Sequence, residues 1–331
     1  MSTTTPALLS SIIEYGDRVT IRVQDVYPTS VTDLWDAVTD PARLARWIGT
    51  VAGDLRVGGA IQVAFTSTWE GPAIVETCEP PHSYSLRMDP GTEQETRIVV
   101  RLQEETDGTR LIVEDAGLPR AEQLAHGAGW QVHLEDLRSV VSGDEAEAWR
   151  PRWEAMMPTY AAVLGEPSSS PRLLGTLHSD GSTGSIRLQE RFATDVDDLW
   201  SALTEKDRLA RWLGEFEGTL TVGNTYRYRM FASGAEGEDT ITECEPPRRF
   251  VTTSSDGRES VELTLTPDGD ETVLTVEHRG LPAHMVAGYG AGTQIHLEDL
   301  GAYVAGLGRC DSDARMEVLY PAYQQLPVTS R

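Results

Sequence analysis

The sequence contains one ordered series of short motifs twice. Asp33-Leu34-Trp35 recurs 165 positions later as Asp198-Leu199-Trp200. Four more pairs follow in the same order, with an offset that stays within two residues of 165: Leu-Ala-Arg-Trp at 44–47 and 209–212, Cys-Glu-Pro-Pro at 78–81 and 244–247, Gly-Leu-Pro at 117–119 and 280–282, and His-Leu-Glu-Asp-Leu at 133–137 and 296–300. Solenoids repeat every 20–50 residues or so. A repeat this long therefore indicates a tandem domain duplication.

Each copy is long enough to bury its own core, because domains of about 100–150 residues are the commonest size. We predict a first domain over 14–165 and a second over 184–326. The segment between them, 166–183, begins with Glu-Pro-Ser-Ser-Ser-Pro. Proline and serine disfavour both helices and sheet pairing, so this composition is typical of a linker.

The charge balance excludes two classes of partner. The chain has 28 Lys and Arg against 52 Asp and Glu, a formal net charge of −24, and its basic residues form no run. Nucleic acid and anionic membranes bind clustered basic residues, so we expect neither as a partner. The first eleven residues have no basic segment and no long apolar stretch, and the three cysteines suggest no disulfide framework. We expect a cytoplasmic protein.

Hydrophobic periodicity predicts an α+β fold. Residues 19–23 alternate between apolar and polar side chains, which is typical of a strand. Near the end of each copy the pattern becomes helical. In the first copy, four residues spaced i, i+4, i+7 and i+11 share one helix face: Trp130, Leu134, Leu137 and Val141. A curved antiparallel sheet of about six or seven strands, packed on a long C-terminal helix, would bury that face.

Taken in order, the motifs resemble those of a known superfamily. They are the Asp-Leu-Trp helix, the Arg-Trp pair, a Val-Gly-Gly turn, Glu-Pro-Pro, Gly-Leu-Pro and the closing His-Leu-Glu-Asp-Leu helix. This series resembles the START-like (SRPBCC) superfamily and, within it, the family named after the C-terminal domain of the Hsp90 ATPase activator. The resemblance covers nearly the whole chain apart from the tails and the linker. It implies two tandem helix-grip domains, each with a cavity between sheet and helix.

Four polar residues are predicted to face these cavities. Helical spacing places His133 about 60° from Trp130, and His296 has the same place in the second copy. Strand alternation points Asp115 inward, with His278 at the matching position. The first copy would then pair Asp115 with His133, and the second His278 with His296. An Asp–His pair suits acid–base chemistry, because the carboxylate orients the imidazole. The alternative is that these side chains only tie helix to sheet.

Aromatic residues add three further candidates. Tyr226 and Tyr228 replace Ile61 and Val63 on the strand predicted to line the cavity, which would make the second pocket more polar. A phenol can donate a hydrogen bond to a ligand, although it can equally just fill space. Trp69 has no counterpart in the second copy and is a candidate for an aromatic side chain that faces a ligand.

No metal or cofactor is predicted. The sequence lacks a Cys-x-x-Cys motif, and we expect His278 and His296 to face the cavity without a carboxylate beside them, which is a poor set of metal ligands. A Gly-x-Ser-x-Gly nucleophile turn and a phosphate-binding glycine loop are also missing. Nothing in the sequence therefore supplies a strong nucleophile or a bound ion.

Three functions stay open. The leading one is binding of a small hydrophobic or aromatic molecule in a helix-grip cavity, because ligand pockets are mostly apolar with a few polar groups. The second is a cyclase, dehydratase or hydrolase that uses acid–base residues in the cavity. The third is a chaperone-linked interaction module that docks through the acidic surface.

Overall fold

A computed structural model describes residues 9–92, 94–164, 171–269 and 271–330. The chain divides into two compact units between residues 168 and 169, which we name unit 1 and unit 2. Both units are α+β and have the same order of elements, as the duplication predicts. Within the described residues, no helix is long and apolar enough to cross a membrane.

Unit 1 is an antiparallel sheet followed by two helices. Its elements are β1 (Ser10–Tyr15), β2 (Arg18–Tyr27), α1 (Val31–Thr39), α2 (Pro41–Leu44), β3 (Gly49–Gly53), β4 (Ala60–Phe65), β5 (Glu70–Glu79), β6 (Ser83–Met88), β7 (Thr96–Glu105), β8 (Gly108–Pro119), α3 (Gln123–Ser142) and α4 (Trp149–Leu164). The strands lie in the order β1-β2-β8-β7-β6-β5-β4-β3. The chain thus runs along the sheet and returns through β8 beside β2.

Unit 2 repeats this plan. Its elements are β9 (Gly175–Asp180), β10 (Thr183–Phe192), α5 (Val196–Thr204), α6 (Lys206–Trp212), β11 (Gly214–Gly218), β12 (Thr225–Met230), β13 (Glu236–Glu245), β14 (Arg249–Ser254), β15 (Ser260–Asp268), β16 (Glu271–Pro282), α7 (Val286–Val304), α8 (Ser312–Gln324) and β17 (Val328–Thr329). The sheet order is β11-β12-β13-β14-β15-β16-β10-β9-β17. The last strand, β17, pairs in parallel with β9.

The predicted long helix packs on each sheet. In α3, Trp130, Leu134 and Leu137 are buried in one core with the apolar residues of β2, and Val141 packs against that core. Tyr27 of β2 is fully buried and donates a hydrogen bond to the Leu134 carbonyl at 3.0 Å. The apolar stripe therefore covers the sheet, as its spacing indicates.

The sheets are wider than the sequence suggests. Within the described residues they have eight and nine strands instead of six or seven. The additional strands lie at or next to one edge of each sheet. In unit 1, β1 begins at Ser10, ahead of the predicted start at 14. In unit 2, β9 occupies part of the predicted linker 166–183, whose residues 166–170 lie outside the described residues, and only the two-residue edge strand β17 lies beyond it. Edge strands pair on one side only and tolerate polar residues, so their apolar alternation is weak.

A second helix follows the long helix in each unit, and hydrophobic periodicity did not predict it. Both α4 and α8 contain an internal proline, Pro158 and Pro321, which argues against a helix in a sequence pattern. Each packs against the long helix that precedes it. The long helix is thus buried between the sheet and another helix.

In each unit, a glycine on the long helix lets the following helix approach it closely. A Cβ atom at Gly290 of α7 would lie 2.7 Å from the ring of Tyr323 on α8. The Tyr323 hydroxyl then donates to Gln294 Oε1 at 2.7 Å. In unit 1, Gly127 approaches Tyr160 equally closely, with a Cβ contact of 2.7 Å. Only glycine fits at these helix crossings.

We expect Gly290→Ala to lower the free energy of unfolding of unit 2 by about 1–3 kcal/mol, because its methyl group would overpack the contact with Tyr323. Gly292→Ala is the matched control: its Cβ would lie 3.9 Å from Met316, an ordinary contact. Alanine favours helices over glycine by about 1 kcal/mol, so the control should be neutral or stabilising. Urea denaturation of both variants measures the difference. Equal losses would contradict the close approach.

Candidate functional site

Both units have cavities between sheet and helices, but the two interiors differ. Among the described residues of unit 2 lies a cavity of about 510 Å³. Two smaller cavities lie among the described residues of unit 1. We name the first, of about 340 Å³ and lined by residues of α3 and α4, the outer compartment. The second, of about 230 Å³ and lined by residues of α1 and α2, is the inner compartment.

The unit 2 cavity combines apolar walls with a group of polar side chains. Its apolar lining comes from both helices and sheet and includes Leu209, Trp212, Phe216, Leu274, Val276 and Met316. Polar residues line the same space, and we name six of them the polar cluster: Tyr226, Tyr228, Asp239, Glu259, His278 and Tyr289. The apolar lining with a few polar groups matches the usual make-up of a ligand pocket.

A hydrogen bond and two ring contacts link members of the polar cluster. His278 Nε2 lies 3.1 Å from Glu259 Oε2. The Tyr289 ring meets the His278 ring edge-on, with their centroids 5.1 Å apart. Tyr226 of β12 lies opposite Asp239 of the neighbouring strand β13, and the Tyr226 and Tyr228 ring centroids are 6.2 Å apart. Phenol, imidazole and carboxyl groups therefore line the same cavity.

Burial shifts the pKa values of residues in the polar cluster. It lowers the pKa of His278 to about 4 and raises the pKa of Tyr228 to about 12. Burial and the Asp256 charge raise the pKa of Glu259, while burial and the Glu259 charge raise the pKa of Asp239. Each shift favours the uncharged form. Near neutral pH, His278 is neutral, and its Nε2 shares a hydrogen bond with the Glu259 carboxyl group.

The predicted pairing of Asp115 with His133 is wrong. Asp115 Oδ2 instead accepts from His126 Nδ1 at 3.0 Å and from Trp130 Nε1 at 2.8 Å. His126 and Trp130 are four residues apart on the first turns of α3, so both reach the end of β8 where Asp115 lies. His133 lies farther along the helix, where its ring contacts the Phe65, Trp130 and Trp149 rings.

The predicted pairing of His278 with His296 is also replaced by another contact. His278 bonds to Glu259, so the expectation that no carboxylate lies close to this histidine is wrong. The register explains it: Val261 of β15 lies opposite His278 of β16, and Glu259 precedes Val261 by two residues. Burial lowers the pKa of His296, like that of His133, to about 4. Within the described residues, no cluster of three or more His, Cys, Asp or Glu could hold a metal ion.

The seven residues predicted as site residues all line cavities. Trp69, Asp115 and His133 face the outer compartment of unit 1. Tyr226, Tyr228, His278 and His296 face the unit 2 cavity. Whether they contact a ligand is a separate question, taken up below as a proposal.

Sequence reasoning missed several residues that line the same cavities. In unit 1 these are Trp149 and Trp153 of α4, whose rings stack at 5.7 Å, and His126. In unit 2 they are Asp239 and Glu259. The tryptophans were missed because α4 was not predicted. The two acids were detectable as charged residues where the first copy has Ala73 and Thr96.

The histidines should titrate in two groups. Burial lowers the pKa of His126, but the hydrogen bond and charge of Asp115, helped by Glu122, outweigh it and raise this pKa above 6.5. His133, His278 and His296 should stay neutral down to about pH 4. Two-dimensional ¹H–¹³C NMR of the imidazoles, assigned by single substitutions, measures each pKa.

The same shift predicts a pH dependence of stability. Folding raises the pKa of His126. The contribution of His126 to the free energy of unfolding is therefore fully present below its unfolded-state pKa and is lost as pH rises through its folded-state pKa. Unit 1 should therefore lose stability as pH rises through and above about 6.5. In His126→Gln this slope should disappear. A slope that persists in the variant would assign it to another group.

Comparison with known proteins decides the family. The model of the family "Activator of Hsp90 ATPase homolog 1-like protein" matches residues 28–142 and 193–305, one segment in each unit. The chain belongs to this family. The resemblance inferred from the motifs and the tandem helix-grip fold are thus confirmed. Members of this START-like group have a fold with a hydrophobic ligand-binding cavity. Among curated proteins, none matches the sequence significantly.

Several solved structures resemble the chain. CalU16 from Micromonospora echinospora is 28% identical over 49% of this chain and 99% of its own, with a TM-score of 0.39. DynU16, described as a putative protein in the dynemicin biosynthetic locus, is 19% identical over 92% of this chain and 98% of its own, with a TM-score of 0.32. The Aha1 dimer from Colwellia psychrerythraea is 16% identical over 37% of this chain and 96% of its own, with a TM-score of 0.34.

Proposed function

We propose that unit 2 of this Hsp90-activator-homolog-like protein binds a small, mainly apolar molecule with at least one hydrogen-bonding group. The observation that carries the proposal is the cavity of about 510 Å³ whose apolar lining includes one polar cluster. Ligand pockets of about 300–1,000 Å³ usually have this make-up. The apolar walls supply affinity by removing ligand surface from water, and the polar cluster orients the ligand.

The chemistry of the polar cluster narrows the ligand class. Tyr226 and Tyr228 keep their protons near neutral pH, because burial raises both pKa values. They can donate to a hydroxyl or carbonyl oxygen, and Asp239 and Glu259 can accept from a hydroxyl. An anionic ligand would be repelled where these acids ionise. A neutral aromatic alcohol or phenol fits best.

Three probes with the same ring system test this class. The neutral alcohol 2-naphthol should raise the unfolding temperature of unit 2 more than naphthalene, which lacks the hydroxyl, and far more than the anion 2-naphthoate. A ligand that binds only the folded state stabilises it by RT ln(1 + [L]/Kd), so at equal concentration the tighter ligand raises the unfolding temperature more. In Tyr226→Phe the advantage of 2-naphthol over naphthalene should shrink, while naphthalene itself acts as before. If no probe stabilises unit 2, or if the anion does so best, the proposal is wrong.

A second candidate is proton transfer in the same cavity. The observation that favours it is the 3.1 Å contact between His278 and Glu259, whose pKa is raised by burial and by the Asp256 charge. A carboxyl group with a raised pKa is suited to take up and return a proton near neutral pH. The third function considered, a chaperone-linked interaction module, is supported only by the family's description.

Carbon–hydrogen exchange distinguishes a catalyst from a binding protein. The bicyclic ketone 2-tetralone has acidic protons next to its carbonyl, and in D₂O a general base would remove one and return a deuteron. A proton-transfer enzyme should accelerate this exchange, and Glu259→Gln should remove the acceleration. The exchange rate, followed by NMR, would equal the buffer rate for a protein that only binds.

A further inference from the structure

Three side chains divide the interior of unit 1. Phe65 of β4, Ile98 of β7 and Trp130 of α3 line both the outer and the inner compartment. The Phe65 and Trp130 rings meet edge-on with their centroids 6.4 Å apart. Trp130 is held there by its hydrogen bond to Asp115. The two rings, with Ile98, thus form a wall across what would otherwise be a single cavity.

The matching wall is missing from the unit 2 cavity. Strand register places Met230 where unit 1 has Phe65, because Gly214 pairs with Met230 as Gly49 pairs with Phe65. The same comparison of neighbouring strands matches Val261 with Ile98.

The helix position follows from the repeated motif. His133 and His296 begin the same His-Leu-Glu-Asp-Leu sequence, so Thr293 in α7 corresponds to Trp130 in α3. Thr293, Met230 and Val261 all line the single unit 2 cavity. An indole is therefore replaced by a threonine at the dividing position, and a phenyl ring by a flexible thioether chain.

We infer that the Trp130/Thr293 position, helped by Phe65/Met230, determines which size of ligand each unit accepts. Unit 2 takes a molecule of about four fused rings, and unit 1 takes only smaller rings, one in each compartment. The inference rests on the proposed function of unit 2 and adds its size class and the residue that sets it. Duplication has thus produced two binding units of different selectivity.

Comparing ligand volumes with cavity volumes identifies a probe that should bind unit 2 and not unit 1. At the packing density of protein interiors, a neutral tetracyclic phenol such as estradiol needs roughly 370 Å³, and p-cresol roughly 140 Å³. Estradiol therefore fits the cavity of about 510 Å³ in unit 2. It is slightly larger than the outer compartment of unit 1, at about 340 Å³, and much larger than the inner one, at about 230 Å³. p-Cresol fits all three.

Methionine methyl groups report on the two units separately. Met88 lines the outer compartment of unit 1, and Met230 and Met316 line the unit 2 cavity. Met156 is buried between α3 and α4 and serves as a reference. In the full chain labelled with ¹³C-methyl methionine, estradiol should shift Met230 and Met316 but neither Met88 nor Met156.

Exchanging the residues at the Trp130/Thr293 position should exchange the ligand-size selectivity of the two units. Thr293→Trp should weaken estradiol binding to unit 2 at least tenfold and leave p-cresol binding intact. Thr293→Val, which loses the hydroxyl without adding bulk, is the matched control and should bind estradiol normally. Trp130→Thr should give Met88 a response to estradiol. Because Trp130→Thr also loses the bond to Asp115, Phe65→Met is a second variant that keeps this bond and should act in the same direction.

The methionine signals distinguish failure of the size inference from failure of the proposed function. A Met88 response to estradiol in the wild-type chain, or unchanged estradiol binding by Thr293→Trp, overturns the inference while the proposed function stands. If neither probe shifts Met230 or Met316 in any variant, the proposed function fails. The dividing wall is then tested without ligand by crystal structures of Trp130→Thr and Thr293→Trp. If Trp130→Thr joins the two compartments of unit 1 and Thr293→Trp divides the unit 2 cavity, these residues form the dividing wall. Unchanged cavities in both variants would overturn the inference.

Discussion

Replacing Arg315 by methionine should lower the free energy of unfolding of unit 2 by about 3–5 kcal/mol. Arg315 of α8 bonds to Glu298 of α7 through two contacts, Nε to Oε2 at 2.7 Å and Nη2 to Oε1 at 2.8 Å. The two side chains are only 9% and 6% exposed. The variant leaves the Glu298 carboxylate buried without its cation, and that desolvated charge is the source of the loss.

Two further variants separate this cause from lost packing. Arg315→Met combined with Glu298→Leu removes both charges and should recover most of the stability, because an apolar pair of similar volume can replace a buried ion pair. Arg258→Met breaks a contact of 3.6 Å between exposed side chains and should change nothing measurable. Urea unfolding of the full chain, followed by NMR signals from α8, measures all three. A double variant no more stable than Arg315→Met would contradict the charge argument.

Asp115→Ala should lower the free energy of unfolding of unit 1 by about 2–4 kcal/mol, because it leaves buried donors without an acceptor. Asp115 is 4% exposed and accepts from both Trp130 and His126. Asp115→Asn keeps an acceptor oxygen and should cost less. Both variants should also lower the pKa of His126, since the Asp115 bond and charge are the main contributions that raise it.

The neighbouring acid provides the control for Asp115. Glu122 also contacts His126, at 3.3 Å, but its side chain is 54% exposed. Glu122→Gln should therefore cause a much smaller loss of stability and a smaller change in the His126 pKa. Thermal unfolding and imidazole NMR measure both effects. If Glu122→Gln lowers the pKa more than Asp115→Asn does, the assignment of Asp115 as the main partner is wrong.

The sequence predicts the fold well because the duplication shows every signal twice. The Asp-Leu-Trp and His-Leu-Glu-Asp-Leu motifs lie in α1, α5, α3 and α7, the same elements in both units. Periodicity failed for α4 and α8, where an internal proline and a weak apolar face hide the helix. The repeat itself contained the missing information: Arg152 and Tyr160 recur as Arg315 and Tyr323 at the offset that relates His133 to His296.

Sequence alternation predicts which way two candidate residues point, but not which residues they contact. Alternation along β8 and β16 correctly points Asp115 and His278 to the interior. Alternation could not predict the partners of these two residues. The partners depend on which turn of the long helix lies next to the end of each strand. That placement brings His126 to Asp115, and the pairing of β15 with β16 brings Glu259 to His278. Both depend on tertiary packing.

The division of unit 1 could not be predicted from one sequence copy alone. Trp130 belongs to the apolar stripe that packs on the sheet, and its ring is also part of the wall between two compartments. The substitution by Thr293 is visible in the sequence. Its effect on cavity shape requires the positions of Phe65 and Ile98 on two other strands, which only the folded sheet supplies.

A crystal structure of the full chain grown with 2-naphthol tests the central claim most directly. We expect density for the two fused rings among the apolar walls of the unit 2 cavity. Its hydroxyl should lie within about 3 Å of an oxygen or nitrogen of the polar cluster. Naphthol bound only at the protein surface, with the unit 2 interior filled by the protein's own side chains, would contradict the account.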